Sequence, residues 1–281
     1  MGGAPTWGQP TGMGVGPEAA RAQIQESVRA RPQTDKILSP LWILTPVLGI
    51  VVALSLFVLA FFIDPALVLG LIVAALFVPA IIFAVILYYL INRMTDHFVR
   101  ESNLRRGMIQ YLRAKAEQEG KGSSVASEIA TMQSVHAEAD ASDDQKPAVL
   151  WTILAVVVPI VGLYVLYFLT KYPYEHDARW RAFSQQAQAA GLKLGLVAVA
   201  PSWKAIEKRS FFLYLILSFI TLGIFALYWY YVLIEDPNQH FRAQAQFEDV
   251  FLAAIGGGGW APPPGPGAPP TTGETVLRSR Q

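Results

Sequence analysis

Four stretches of the chain, 41–63, 66–91, 148–170 and 211–234, contain no charged residue and are almost wholly apolar. A helix needs ~20 such residues to cross ~30 Å of hydrocarbon. A charge at mid-bilayer costs about 3 kcal/mol, so charge-free runs of this length are what spanning demands. The pattern predicts an all-α, polytopic helical membrane protein with four hydrophobic helices. Only Asp64-Pro65 separates the first two stretches. A polar residue followed by a helix breaker makes 41–91 a transmembrane hairpin.

Around these runs the sequence is polar. Residues 1–40 read as a largely disordered N-terminal segment, with a short helix after Pro17 that stops at Pro32. Residues 92–147 read as an amphipathic helix and a flexible linker, with a short helix near 124–138. Residues 148–190 pair a membrane helix with an amphipathic helix, and 191–255 supply a connector and a second such pair. The Gly/Pro-rich stretch 256–281 cannot build a core and reads as a disordered tail. No apolar core lies in the first 30 residues, so no cleavable signal is expected.

Composition agrees with this reading. The chain is 53% hydrophobic and 15% charged, with a mean hydropathy of +0.36. A net charge of +1 offers no field for nucleic acid. There is no cysteine, which excludes disulfides, thiol catalysis and thiolate metal sites. If all four runs cross, the face bearing both termini holds 15 Lys and Arg against seven in 171–210. The positive-inside rule then puts the termini in the cytoplasm, in a multi-pass protein of the cell membrane. The basic 171–210 loop is awkward to export, however. Pro159 and Gly223 lie at the centres of the third and fourth runs, so both runs could instead turn back at mid-depth.

Internal similarity is the most informative pattern. Pro159-Ile-Val-Gly-Leu-Tyr-Val-Leu-Tyr-Phe-Leu169 aligns without gaps, 64 residues on, with Gly223-Ile-Phe-Ala-Leu-Tyr-Trp-Tyr-Tyr-Val-Leu233. The same register pairs Pro173-Tyr-Glu-His176 with Pro237-Asn-Gln-His240, and a looser copy ends at Asp96-His97. Seven residues past each His stand Leu104, Phe183 and Phe247; eleven past stand Met108, Ala187 and Phe251. Spacings of four and three mark one face of a helix. The predicted unit is a membrane helix with an aromatic end, a short connector, and an interfacial amphipathic helix starting near a His (about 95–119, 175–190 and 238–255). The fold is thus a degenerate internal repeat.

The fourth run resembles a known family. Arg209-Ser-Phe-Phe-Leu, then Ile220-Thr-Leu-Gly-Ile-Phe-Ala-Leu-Tyr-Trp229, is similar to the signature of an uncharacterised prokaryotic membrane-protein family, a domain of unknown function. The likeness is good over about 208–250, partial over 146–190 and weak over 66–119. It implies membrane insertion and adds no chemistry.

Candidate chemistry is sparse. Of four histidines, His97, His176 and His240 occupy the equivalent position of the three copies, each near an acid: Asp96, Glu175 or Asp236. Three imidazoles could converge on zinc or a similar ion. The plainer expectation is an interfacial His beside headgroups or a carboxylate. The sequence assigns no catalytic residue, no cofactor and no metal, with those three histidines as the candidates if a metal exists. Arg100, Arg105, Arg106, Arg113 and Lys115 suit either a helix lying on anionic lipid or a solvated bundle face. The expected partners are the lipid bilayer and a second copy or another membrane protein, and not nucleic acid. The expected role is a non-enzymatic scaffold, assembly or membrane-shaping component. The alternatives are a small channel or transporter subunit, then a metal-dependent interfacial enzyme.

Overall fold

The computed structural model describes residues 16–60, 62, 65–143, 145–196 and 204–256, and these are helical with no strand. The elements are α1 (Pro17–Thr34), a 3₁₀ turn (Pro40–Ile43), α2 (Leu44–Leu59), α3 (Pro65–Gln118), α4 (Ala126–Ser142), α5 (Ala148–Val157), α6 (Pro159–Lys193), α7 (Phe211–Ile220) and α8 (Ile224–Gly256). Asp64, the 1–15 stretch and the 257–281 tail lie outside the described residues.

Among the described residues two helices are long and apolar enough to cross a membrane: Pro40–Leu59, and the long helix over Leu67–Gln118 through its apolar first half. Only 6% of the most apolar window of each is buried. A core helix of a soluble protein would hide that surface, so the core-helix explanation of their hydropathy fails. They form a full-length hairpin: Gly49 lies against Pro79, and Trp42 meets Tyr89 edge-on at 5.2 Å.

The other two runs are not single helices, which corrects the four-helix expectation. Val158 is extended (φ −120°, ψ 98°), the conformation imposed on a residue before proline. α5 then folds back on α6, bringing Trp151 within 6.3 Å of Phe168. A straight helix would separate them by about 25 Å. Gly162 permits the close approach, since a Cβ there would stand 3.0 Å from the Ala155 carbonyl oxygen. The fourth run breaks at Leu222 (φ 51°) and Gly223 (φ 92°), a left-handed turn in which glycine costs nothing. α7 returns along α8, with Phe211 and Trp229 ring centroids 5.5 Å apart. The central Pro159 and Gly223 mark turns.

The second legs of all three hairpins run on, without a connector, as α3, α6 and α8. Pro173 and Pro237 therefore lie inside helices, not at the starts of new ones. Proline frees the carbonyl four residues back, and for Pro237 that carbonyl, Leu233, accepts from Arg93 Nη2 at 2.6 Å. Arg93 also donates to Asn238 Oδ1 at 3.1 Å. Asn238 in turn exchanges two hydrogen bonds with the Leu38 backbone.

Beyond the hairpins the three helices run parallel into a polar-surfaced bundle completed by α1 and α4. Leu104, Phe183, Phe247, Met108, Ala187 and Phe251 meet in one core. α1 runs through Pro32 and buries Ala20, Ile24 and Val28, so most of 17–40 is ordered structure rather than the disordered segment expected. The 92–119 stretch does not lie flat as an interfacial helix: Arg100 and Arg105 are buried inside the bundle.

Candidate metal centre

One helical turn beyond the apolar hairpins, α3, α6 and α8 bring His97, His176 and His240 together, and Glu101 joins them from the turn after His97. One donor atom from each lies within 4.8 Å of the others. Exposures are 0%, 1% and 2% for the three histidines and 0% for Glu101, so the cluster is sealed from solvent.

Each imidazole is held from behind. His97 Nδ1 lies 3.0 Å from Asp35 Oδ1, His176 Nδ1 lies 3.0 Å from Asp143 Oδ2, and His240 Nδ1 lies 3.0 Å from Asp177 Oδ1. An ionised carboxylate only accepts, so the Nδ1 of His176 and of His240 donates to its aspartate, and a ring that carries no second proton turns its Nε2 lone pair inward. His97 Nε2 and His176 Nε2 are 3.1 Å apart. Glu101 Oε2 is 3.1 Å from the first and 2.6 Å from the second. His240 Nε2 is buried without a hydrogen-bond partner. Tetrahedral bonds of ~2.1 Å require donors about 3.4 Å apart; here the separations run from 2.6 Å to at most 4.8 Å.

A further layer fixes the carboxylates. Arg100 grips Asp35 through two hydrogen bonds, 2.9 and 2.6 Å long. Arg179 Nη2 donates to Asp143 at 2.5 Å, and Arg181 Nε donates to Asp177 at 3.0 Å. Arg105 pairs with Glu101. Every histidine is thus backed by an aspartate, and every aspartate by an arginine. Asp35 and Asp143 occupy matching places, each the residue that ends a bundle helix (α1 or α4) before a hairpin. Asp177 does the same service from α6 while accepting the Ile206 N–H at 3.2 Å, which pins the segment leading into α7.

These surroundings set the charge states. Burial would raise Glu101, but Arg105 and His176 overcome it and hold the carboxyl well below its usual range. Asp35, Asp143 and Asp177 are likewise lowered by their Arg and His partners against burial. Burial would depress His176, yet Glu101 and Asp143 raise it to about 9. For His240 burial wins and the value falls. Four donor atoms gathered within 4.8 Å of one another describe a pocket suited to a small positive charge. A cavity of about 260 Å³ between α3 and α4, lined by Ser102, Arg106, Asp140 and Gln145, also touches Arg105 and Asp143. It brings solvent to the shell that backs the centre.

The sequence named all three histidines, and the structure unites them. It does not use the acids named with them: Asp96 pairs with Lys36, Glu175 with Lys171 and Asp236 with Arg209. Glu101 and the three backing aspartates were missed. Glu101 had a readable signal, four residues after His97 on the same helix face. Asp35 and Asp143 had none, because they reach their histidines across 62 and 33 residues of chain.

Residues 209–255 match the family model described as Domain of unknown function (DUF4234). The match covers the α7–α8 hairpin and nearly all of α8, and contains His240. No curated protein and no solved structure matches the chain.

Proposed function

We propose that this is a multi-pass protein of the cell membrane in which three repeats of one hairpin-and-helix unit are clamped together by a divalent transition-metal ion. The carrying observation is the convergence of three inward-facing Nε2 atoms and the Glu101 carboxylate, with an aspartate oxygen 3.0 Å behind each imidazole and hydrogen-bonded to those of His176 and His240. Three nitrogens and one oxygen suit zinc and its neighbours, and the lack of thiolates argues against soft ions. With Glu101 as fourth ligand the coordination is closed, the hallmark of structural rather than catalytic zinc. The role that follows is a non-enzymatic, metal-stabilised membrane scaffold. Two long apolar helices with bare outer faces support the membrane assignment. The equivalent burial of Leu104, Phe183 and Phe247 supports the repeat.

The test is metal titration of the full chain, purified in detergent and stripped with chelator. One equivalent of Co²⁺ should saturate a visible absorption typical of a nitrogen-rich tetrahedral site, and Zn²⁺ should displace it. His240→Asn should abolish the band. A wild-type protein that develops no saturable cobalt spectrum overturns the proposal.

A further inference from the structure

We infer that the α5–α6 and α7–α8 hairpins enter only the lipid leaflet next to the polar bundle, so that the protein is a one-leaflet wedge. This rests on the membrane reading above and goes beyond it. The lengths set the depth. α5 and α7 have ten residues each, about 15 Å at 1.5 Å per residue, half of the ~30 Å hydrocarbon thickness. The Pro40–Leu59 stretch has twenty and covers all of it. The second legs run parallel from their tips into one bundle, with the three histidines at one level. The three hairpins therefore start from a common plane.

Polar residues mark that plane at each base. Lys36 and Asp96 stand 3.3 Å apart at the long hairpin. Lys146 packs over Trp151 and Phe168, 4.8 and 5.0 Å from their ring centres, at the second. Arg209 makes two 3.2 Å bonds to Asp236 at the third. Trp229 Nε1 donates to Thr170 Oγ1 at 2.9 Å, tying the short hairpins together near their bases. The tips are the opposite in character. Leu222 is 94% exposed, and Val157, Ile160, Phe219, Ile220 and Ile224 are all at least two-thirds exposed.

The third tip also meets the demand that hydrocarbon places on backbone. A turn in water can leave its N–H groups to solvent, whereas a turn in lipid must satisfy them internally. From Thr221 to Ala226 every N–H has an acceptor within the hairpin. Thr221 donates to Leu217, Leu222 to Phe219, Gly223 to Ser218, Ile224 to Thr221 and Ala226 to Gly223. The remaining donor, Phe225, is taken by the Thr221 side chain at 2.9 Å. At the second tip Pro159 removes one donor and Val158, Val161 and Gly162 are satisfied locally, which leaves the Ile160 N–H as the one donor there without a backbone acceptor. The third tip in particular suits the dry midplane rather than the far headgroups. Six helical segments then occupy the near leaflet and two the far one. With helices ~10 Å across, that imbalance widens the near leaflet and favours bending toward the protein.

The natural absence of cysteine makes the test direct. Single Leu222→Cys, Val157→Cys and Phe62→Cys variants of the full chain would carry a bimane label in phosphatidylcholine vesicles. Depth would be read from lipids spin-labelled at the headgroup, mid-chain or chain end, and iodide would report water. The Leu222→Cys and Val157→Cys labels should be quenched most by the chain-end lipid and ignored by iodide. The Phe62→Cys label should sit about 15 Å deeper along the normal, at the far headgroups. A far-headgroup position for Leu222→Cys or Val157→Cys with Phe62→Cys as expected would overturn the wedge while leaving the membrane reading intact. Iodide access and no lipid quenching at all three sites would overturn both. Because Leu222 is exposed, its variant leaves the core untouched; Ile224→Cys repeats the reading at a neighbouring position.

Discussion

Asp177→Asn separates a metal centre from an ordinary buried polar cluster. Asp177 accepts from His240 Nδ1 through one oxygen, and from Arg181 and the Ile206 N–H through the other. Asparagine offers a single acceptor oxygen. If that oxygen stays on His240, the new NH₂ faces two donors; if it turns to them, the NH₂ faces His240 and drives it to the tautomer whose Nε2–H points at the ion. The first arrangement leaves the backing group pushed by two unpaired donors and so weakens its hold on the ligand, and the second turns the ligand's lone pair away from the ion. Losing such a backing group costs 10–100-fold in metal affinity, about 1.4–2.8 kcal/mol. The assay is competition for Zn²⁺ against a chromophoric chelator, with circular dichroism confirming the helical fold. Unchanged affinity in folded Asp177→Asn would refute the idea that the aspartates orient metal ligands.

Other consequences are equally open to measurement. In chelator-stripped protein His176 titrates near 9 instead of 6.5. A raised value means that the proton stabilises the fold, a contribution complete below about pH 6.5 and lost as pH rises through about 9; Tm in detergent should fall across that window, and saturating Zn²⁺ should flatten the fall by replacing the proton. Phe247, fully buried and edge-on to Trp180 at 5.8 Å, anchors the distal core; Phe247→Ala should cost 3–5 kcal/mol of unfolding free energy, roughly the usual price of a large core cavity. Gly162→Val places a Cβ 3.0 Å from the Ala155 carbonyl, so it should destabilise the second hairpin by about 1–3 kcal/mol, seen as a lower Tm; an unchanged Tm would show that α5 does not pack there.

Much of this was legible in the sequence because it is local. Charge-free runs marked where the apolar helices of the described residues lie, and matching the register of 159–169 with that of 223–233 singled out His176 and His240, which the structure brings together. What ran past the sequence is non-local. Pro173 and Pro237 read as helix starts because proline usually ends a helix, and Arg93, 140 residues from the carbonyl it rescues, could not be foreseen. Run length favoured full spans, but one extended residue before Pro159 and one left-handed turn at Gly223 halve each run. The basic residues of 92–119 read as a surface because nothing local showed that Arg100 and Arg105 would meet Asp35 and Glu101.

Metal content of the protein as isolated tests the central claim most directly. The full chain, extracted in detergent without chelator, would be compared with His97→Asn/His176→Asn/His240→Asn by plasma mass spectrometry. Near one zinc-class ion per wild-type chain, and a near-background level in a triple variant that remains helical, is the predicted result. Wild-type protein carrying far less than one ion, and unable to take one up when supplied, would contradict it.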